Sequence, residues 1–127
     1  MRRSPTAKFG NKYCWVLNNQ IVPYQKQLKE EIQNAGGIFF HSKKEAKRFI
    51  ALKFLLNAKE IQELVLQPKY PLYGKGGSKI CSYVADFQYK VGNDTVVEDT
   101  KGFKTADYKL KAKLFKDNYP GLIFKES

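Results

Sequence analysis

The sequence predicts an α/β domain with a mixed β-sheet flanked by helices, and three observations carry that expectation. A long helix is signalled by Ser42 and Glu45 in an S-x-x-E capping box, followed by Ala46, Phe49, Ile50, Leu52 and Leu56 at helical spacing. Apolar and β-branched runs between glycine-rich turns follow it as strands. A second helix, opened by Thr105 and stopped by Pro120 and Gly121, leads into a last strand, "LIFKE". After Gly37 the order is helix, strand, strand, strand, helix, strand, which places helices on a sheet.

Each element has a local cause. Residues 1–10, with Arg2, Arg3, Pro5 and Lys8, read as a flexible basic arm, and "KYCWVL" (12–17) reads as a short strand ended by Asn18 and Asn19. Pro23 suits the first turn of a helix through "YQKQLKEEIQNA", closed by Gly36 and Gly37. The capping-box helix is expected from Lys43 to Lys59. "IQELVLQPKYPLY" and "KICSYVADFQYKV" are strand-like and joined by the turn-rich "GKGGSK" (74–79). A turn at 92–94 then leads into the strand carrying "VVEDTKG" (96–102).

Bulk properties bound the function. A chain of 127 residues suits one domain, and such a domain buries roughly two-thirds of its unfolded surface. Lys and Arg number 23 against 12 Asp and Glu, a net charge of +11, while 43% apolar and 14% aromatic content excludes a disordered chain. This excess attracts polyanions, nucleic acid first and an acidic membrane surface second. Cys14 and Cys81 stand far apart with no CxxC or Cys/His cluster, so both are expected as reduced thiols rather than as part of a zinc site or disulfide framework. No apolar run reaches signal-peptide length or the roughly 20 residues of a membrane span, and the expectation is a soluble, cytoplasmic protein.

The chemistry centres on two segments. If "VVEDTKG" is a strand, Val97, Asp99 and Lys101 share one face while Val96, Glu98 and Thr100 share the other. An acid and a base then stand two residues apart, as in a salt-bridged surface strand or a hydrolytic metal site. Asp86 sits in "SYVADFQY", among apolar and aromatic neighbours, where a carboxylate calls for a hydrogen-bond partner or a metal. The plainer alternative is a strand-end Asp bonded to a loop. Asp86 lies seven residues before Asn93 and Asp99 six after it, so a hairpin makes them near cross-strand neighbours. Like charges so opposed destabilise a sheet unless a positive charge lies between them. A divalent cation supplies one, at about 2 Å from carboxylate oxygens if it is Mg²⁺.

Lys101 reads either as a neutralising ion pair or as the group that steadies charge on a phosphate or holds the attacking water. Glu45 reads first as a capping-box residue, but it shares a helical stripe with Phe49, Leu52 and Leu56, which aims it at the sheet to complete a metal site. Glu98 faces away and reads as structural, or as a group behind the ligands if a bulge re-aims the strand. "GKGGSK" lacks the phosphate-loop pattern and reads as a mobile hairpin loop touching a phosphate backbone through Lys75 and Lys79. His41, the sole histidine, reads as a surface residue, which leaves a Ser-His or Cys-His nucleophile unsupported. Lys109, Lys113 and Lys116 line one face of the last helix, with Lys104 and Lys111 nearby. Tyr108, Phe115 and Tyr119 take the core side, leaving those cations to follow a nucleic-acid backbone.

An acid-bearing helix (Glu45), a hairpin with Asp86 and then D-x-K (Asp99, Thr100, Lys101), a helix and a strand together resemble the PD-(D/E)XK, or restriction-endonuclease-like, nuclease superfamily. More closely, "FHSKKEAKRF", "LQPKYPL", "YVADFQY" and "VVEDTKGFKTADYKLKAKLF" resemble a family of small, largely phage-encoded proteins of that superfamily, neighbours of Holliday-junction resolvases and phage endonucleases. The resemblance covers residues 38–127, leaving 1–37 as an N-terminal strand and helix extension of a single nuclease domain, 1–127. It implies a restriction-endonuclease-like core of order α-β-β-β-α-β. It also implies Mg²⁺ or Mn²⁺ on Asp86 and Asp99 helped by the Thr100 carbonyl, Glu45 as a further or second-metal ligand, and Lys101 as the catalytic lysine. Ala85 stands where the motif has proline, a common departure. Gln67 in "LQP" resembles a recurrent family residue, although a buried amide ending the first strand is the simpler account.

The activity so implied is metal-dependent hydrolysis of DNA phosphodiester bonds, structure-specific for branched DNA such as a Holliday junction, by a homodimer in the host cytoplasm if phage-encoded. A sequence-nonspecific or nicking nuclease would use the same residues. A non-catalytic basic nucleic-acid-binding protein would use the lysines alone, and RNA is a further substrate class. Residues 11–37, with Trp15 and the "YQKQLKEEIQ" helix, are expected as a dimer or substrate-recognition element.

Overall fold

The computed structural model describes residues 13–101 and 103–127, so the basic arm expected at residues 1–10 lies outside the described residues. The chain forms two compact units, Met1–Phe54 and Leu55–Ser127.

In the first unit β1 (Cys14–Leu17) lies between β2 (Gln20–Pro23) and β3 (Ile38–Phe40), antiparallel to both. Asn18 and Asn19 both take positive φ, 54° and 63°, the geometry of a two-residue hairpin turn that Asn tolerates well. The chain therefore returns as a second strand, and Pro23 ends that edge strand instead of opening a helix. The helix expected over residues 24–35 contracts to a 3-10 turn (Lys26–Leu28) and α1 (Lys29–Asn34). Gly36, at φ 96°, supplies the left-handed stop.

The helix α2 (Lys43–Asn57) starts at the expected capping box: the Glu45 N–H donates to Ser42 Oγ at 3.1 Å and the Ser42 hydroxyl donates to Glu45 Oε1 at 3.3 Å. Ala46, Phe49 and Leu52 form its buried stripe, and Phe49 meets Phe40 of β3 with ring centroids 5.2 Å apart. The helix ends two residues before Lys59, which sits at φ 64°.

In the second unit each of the two long strand-like runs breaks in two. Gln67, at φ 51°, and Pro68 separate β4 (Gln62–Leu66) from β5 (Lys69–Tyr73), and Ala85 and Asp86 separate β6 (Lys79–Val84) from β7 (Phe87–Val91). After β8 (Asp94–Asp99) come α3 (Ala106–Asn118) and β9 (Ile123–Glu126). A four-stranded sheet runs β4-β7-β8-β9 and is mixed, because β8 and β9 are parallel while the other pairs are antiparallel. The helix α3 makes the crossover that a parallel pair requires. β5 and β6 form a separate antiparallel pair.

The core of this unit is the apolar face of α3 (Tyr108, Ala112, Phe115) closed by Leu72, Tyr83, Ala85 and Val97. Asn118 fastens the end of α3 to β5, accepting from the Tyr73 N–H at 2.7 Å and donating to the Tyr73 carbonyl at 3.2 Å. Thr105 caps the start of α3, its Oγ1 accepting from the Tyr108 N–H at 3.1 Å. Thr105→Ala should therefore cost about 1 kcal/mol of stability in a urea melt, with Thr105→Ser restoring most of it. Among the described residues no helix is long and apolar enough to cross a membrane.

Candidate functional site

The β7–β8 hairpin brings the two aspartates together. Val91 pairs with Asp94 and Phe87 with Glu98, leaving Gly92 (φ 62°) and Asn93 as the turn. One more step along that register sets Asp86 opposite Asp99. The break before β7 is stitched on three sides. Asp86 N–H donates to the Glu98 carbonyl (3.2 Å), Gln67 N–H to the Asp86 carbonyl (2.9 Å) and Ala85 N–H to the Pro68 carbonyl (3.1 Å). The Asp86 side chain is then oriented by Thr100, whose N–H and hydroxyl both donate to Oδ2 at 2.8 Å.

Asp99 is 1% exposed, since β8 is an inner strand covered on both faces and every residue from Val96 to Thr100 is buried. Its Oδ2 accepts from the Tyr83 hydroxyl, while its Oδ1 has no hydrogen-bond partner and faces the Lys101 ammonium at 3.6 Å. Burial above all, then the neighbouring Asp86 carboxyl, pushes the Asp99 pKa up to about 7 against the opposing pull of Tyr83 and Lys101. Burial and the bond to Asp99 likewise raise the Tyr83 phenol. The end of β9 clamps this stretch, with Ser127 N–H donating to the Asp99 carbonyl (2.9 Å) and Lys101 N–H to the Ser127 carbonyl (3.2 Å).

Lys101 also rests over the Tyr108 ring, 4.7 Å from its centroid. The Tyr108 hydroxyl donates to Glu126 Oε2 at 2.6 Å, and Glu126 Oε1 pairs with Lys104 at 2.8 Å. The bond to Lys104 first, then that to Tyr108, holds the Glu126 carboxyl below its usual range. Glu98 points to the opposite face, fully buried, accepting from the Tyr89 hydroxyl (2.6 Å) and the Ser127 hydroxyl (2.7 Å).

Lys104, Lys109, Lys113 and Lys116 rim one open depression of about 390 Å³ beside Tyr108 and Glu126. Lys104 is engaged with Glu126, Lys116 lies over the Phe124 ring at 5.1 Å, and Lys111 pairs with Asp107 at 3.7 Å. Lys75 sits in the turn before β6 and Lys79 at that strand's start, both exposed. Ile80, next to Lys79, lines a groove with Lys113 and Lys116, so this hairpin adjoins the α3 lysine face.

Glu45 belongs to the first unit, at the first turn of α2, where its carboxylate accepts from Ser42. Gln67 is exposed rather than a buried amide; its backbone, not its side chain, holds Asp86. His41 is exposed, and Cys14 and Cys81 are free thiols. Tyr83, Tyr108 and Glu126 are the members of this cluster that residue-type reasoning passes over. For Tyr83 the signal is its place two residues before Ala85 on the inward face of β6.

Two carboxyl groups side by side, one with an unbonded oxygen, make a hard-oxygen donor set that suits Mg²⁺ or Mn²⁺. Among the described residues no group of three or more His, Cys, Asp or Glu side chains gathers about one point. Mg²⁺ is commonly held by one or two carboxylates with water completing its shell, so the pair fits such an ion. No curated protein and no solved structure matches the chain. One family does, along residues 25–125, which include Asp86, Asp99, Lys101 and the whole of α3. The chain belongs to the family described as Protein of unknown function (DUF1064).

Proposed function

We propose that this protein is a metal-dependent DNA endonuclease with a restriction-endonuclease-like core, structure-specific for branched, Holliday-junction-type DNA and acting as a homodimer in the cytoplasm. The observation that carries the reading is the Asp86–Asp99 carboxyl pair with the Lys101 ammonium 3.6 Å from Asp99 Oδ1. The rim of lysines beside Tyr108 supports a polyanionic substrate.

In this reading Asp86 and Asp99 would hold a divalent ion, with the Thr100 carbonyl assisting. Bound there, the ion supplies Lewis acidity, polarising the phosphate and lowering the pKa of its water. Thr100 fixes the Asp86 carboxylate and Tyr83 fixes that of Asp99, so the donors are ordered before a metal arrives. Lys101, steadied by the Tyr108 ring, sets positive charge where the phosphate becomes more negative. Lys101→Ala is expected to slow Mg²⁺-dependent cleavage by about 10²–10³-fold with little change in DNA affinity.

Lys109, Lys113 and Lys116, with Lys104, Lys75 and Lys79, hold the phosphate backbone. Replacing Lys109, Lys113 and Lys116 by Ala should lower the slope of log affinity against log salt by about two to three, read by fluorescence anisotropy from 50 to 200 mM salt. The activity test is incubation of the purified protein with a labelled four-way junction and a matching linear duplex, with and without Mg²⁺. Cleavage only with metal and faster on the junction is expected; intact DNA in both Mg²⁺ and Mn²⁺, with binding retained, would establish a non-catalytic basic nucleic-acid-binding protein instead.

A further inference from the structure

The three-stranded sheet of the first unit has two unlike faces. Cys14, Val16 and Phe40 are buried on one, where Phe40 packs against Phe49 of α2. Strand alternation sends Tyr13, Trp15, Phe39 and His41 to the other, together with Tyr24 just beyond β2. These rings touch. Trp15 and Tyr24 lie within 16° of parallel with centroids 6.4 Å apart, and Phe39 stands edge-on to Trp15 at 5.4 Å and to Tyr24 at 5.8 Å. Tyr13 is 48% exposed and stands edge-on to Phe39 at 5.6 Å.

The aromatic wall surrounds a pocket of about 540 Å³ lined by Tyr13, Trp15, Tyr24 and Phe39, with Lys29 and Gln33 of α1 at its edge. Trp15, 3% exposed, forms part of that wall, and its buried Nε1 has no acceptor among the described residues. Among the described residues lining the pocket none is acidic and Lys29 is the charged one, so an aromatic cage for an ammonium ligand has the wrong charge. A flat, electron-rich ring attached to an anion has the right one. It stacks on the aromatic rings, offers acceptors to the Gln33 amide, and leaves its phosphate to Lys29.

We propose that this pocket binds an unpaired nucleobase of a DNA strand, giving the protein a site for single-stranded or unstacked nucleotides separate from the lysine face. The proposal rests on nucleic acid being the ligand, as in the function above, and does not depend on cleavage.

Trp15 is the only tryptophan, so its emission reports on this pocket alone. The test uses the full-length protein in EDTA with three labelled probes: a single-stranded thymidine octamer, a blunt duplex, and the same duplex with one bulged base. Anisotropy gives occupancy and tryptophan emission gives stacking. The octamer and the bulged duplex are expected to quench Trp15 at saturation, while the blunt duplex binds without quenching. Tyr24→Ala should weaken octamer binding about tenfold and leave blunt-duplex affinity unchanged, with a thermal melt confirming that the variant folds. Lys29→Ala should weaken the octamer in the same direction.

The proposal is overturned if the octamer binds without altering the emission, if it fails to bind where the blunt duplex does, or if the blunt duplex quenches equally. Each of those results would leave the nuclease reading standing. Quenching by the octamer without cleavage in Mg²⁺ would do the reverse, sinking the nuclease and supporting the pocket.

Discussion

Asp99→Asn is expected to reduce Mg²⁺-dependent cleavage by about 10³-fold or more, to leave DNA affinity nearly unchanged, and to make the metal-free protein more stable above pH 7. The loss follows from removing one of two carboxylates that would hold the ion. The gain follows from the environment of Asp99, buried beside the Asp86 carboxyl and with a pKa pushed up to about 7.

A carboxyl whose folded-state pKa is raised contributes stability that is fully present below the unfolded value, near 4, and lost as pH rises through about 7. An Asn at this position does not ionise, and it can still accept from Tyr83 while its amide donates to Asp86. The stability gap between variant and parent should thus open between pH 4 and pH 7 and level off at roughly 1–3 kcal/mol above it. Thermal melts in EDTA at pH 4.5, 6 and 8 read the gap. A variant that cuts as fast as the parent, or is less stable than it at pH 8, would overturn this account of Asp99.

Phe115→Ala is expected to cost about 3–5 kcal/mol, a large fraction of a small protein's stability. Phe115 is fully buried and meets the rings of Tyr70, Tyr83, Tyr119 and Phe124 at 5.0, 5.3, 5.1 and 5.8 Å. Removing its ring leaves a cavity where α3 lies on the strands. Because Tyr83 packs on Phe115 and donates to Asp99, the cavity should also loosen the carboxyl pair. Urea denaturation measures the first effect. The second appears as a drop in cleavage rate at temperatures where the variant remains folded. A loss below 1 kcal/mol would mean that α3 is not the keystone of the second unit.

The pairing of Asp86 with Asp99 was legible in the sequence because a glycine turn stands midway between them, and strand alternation alone turned Glu98 to the opposite face. The capping box of α2, the Thr105 cap and the lysine stripe of α3 were legible for the same reason: each depends on residues within a turn or two of one another. What escaped depends on longer reach or on unusual backbone. Gln67 breaks a strand at φ 51°, a conformation its side chain does not advertise, and the break between β6 and β7 is held by Gln67, Pro68 and Glu98 from two other segments. The strand β2 was hidden because Pro23 suits a helix start as well as an edge-strand end, although the Asn18–Asn19 pair carried the hairpin signal. Tyr83 and Tyr108 look like ordinary core aromatics until α3, β6, β8 and β9 bring their hydroxyls to Asp99 and Glu126 respectively.

Binding of a divalent ion by the Asp86–Asp99 pair, at the expense of the Asp99 proton, is tested most directly by calorimetric titration of Mn²⁺ into the full-length protein at pH 6.5. Two buffers of different ionisation enthalpy reveal proton release. The account predicts a saturable Mn²⁺ site that releases a fraction of a proton, is lost in both Asp86→Asn and Asp99→Asn, and persists in Lys101→Ala. No binding at millimolar Mn²⁺, or an isotherm unchanged by Asp99→Asn, would contradict it.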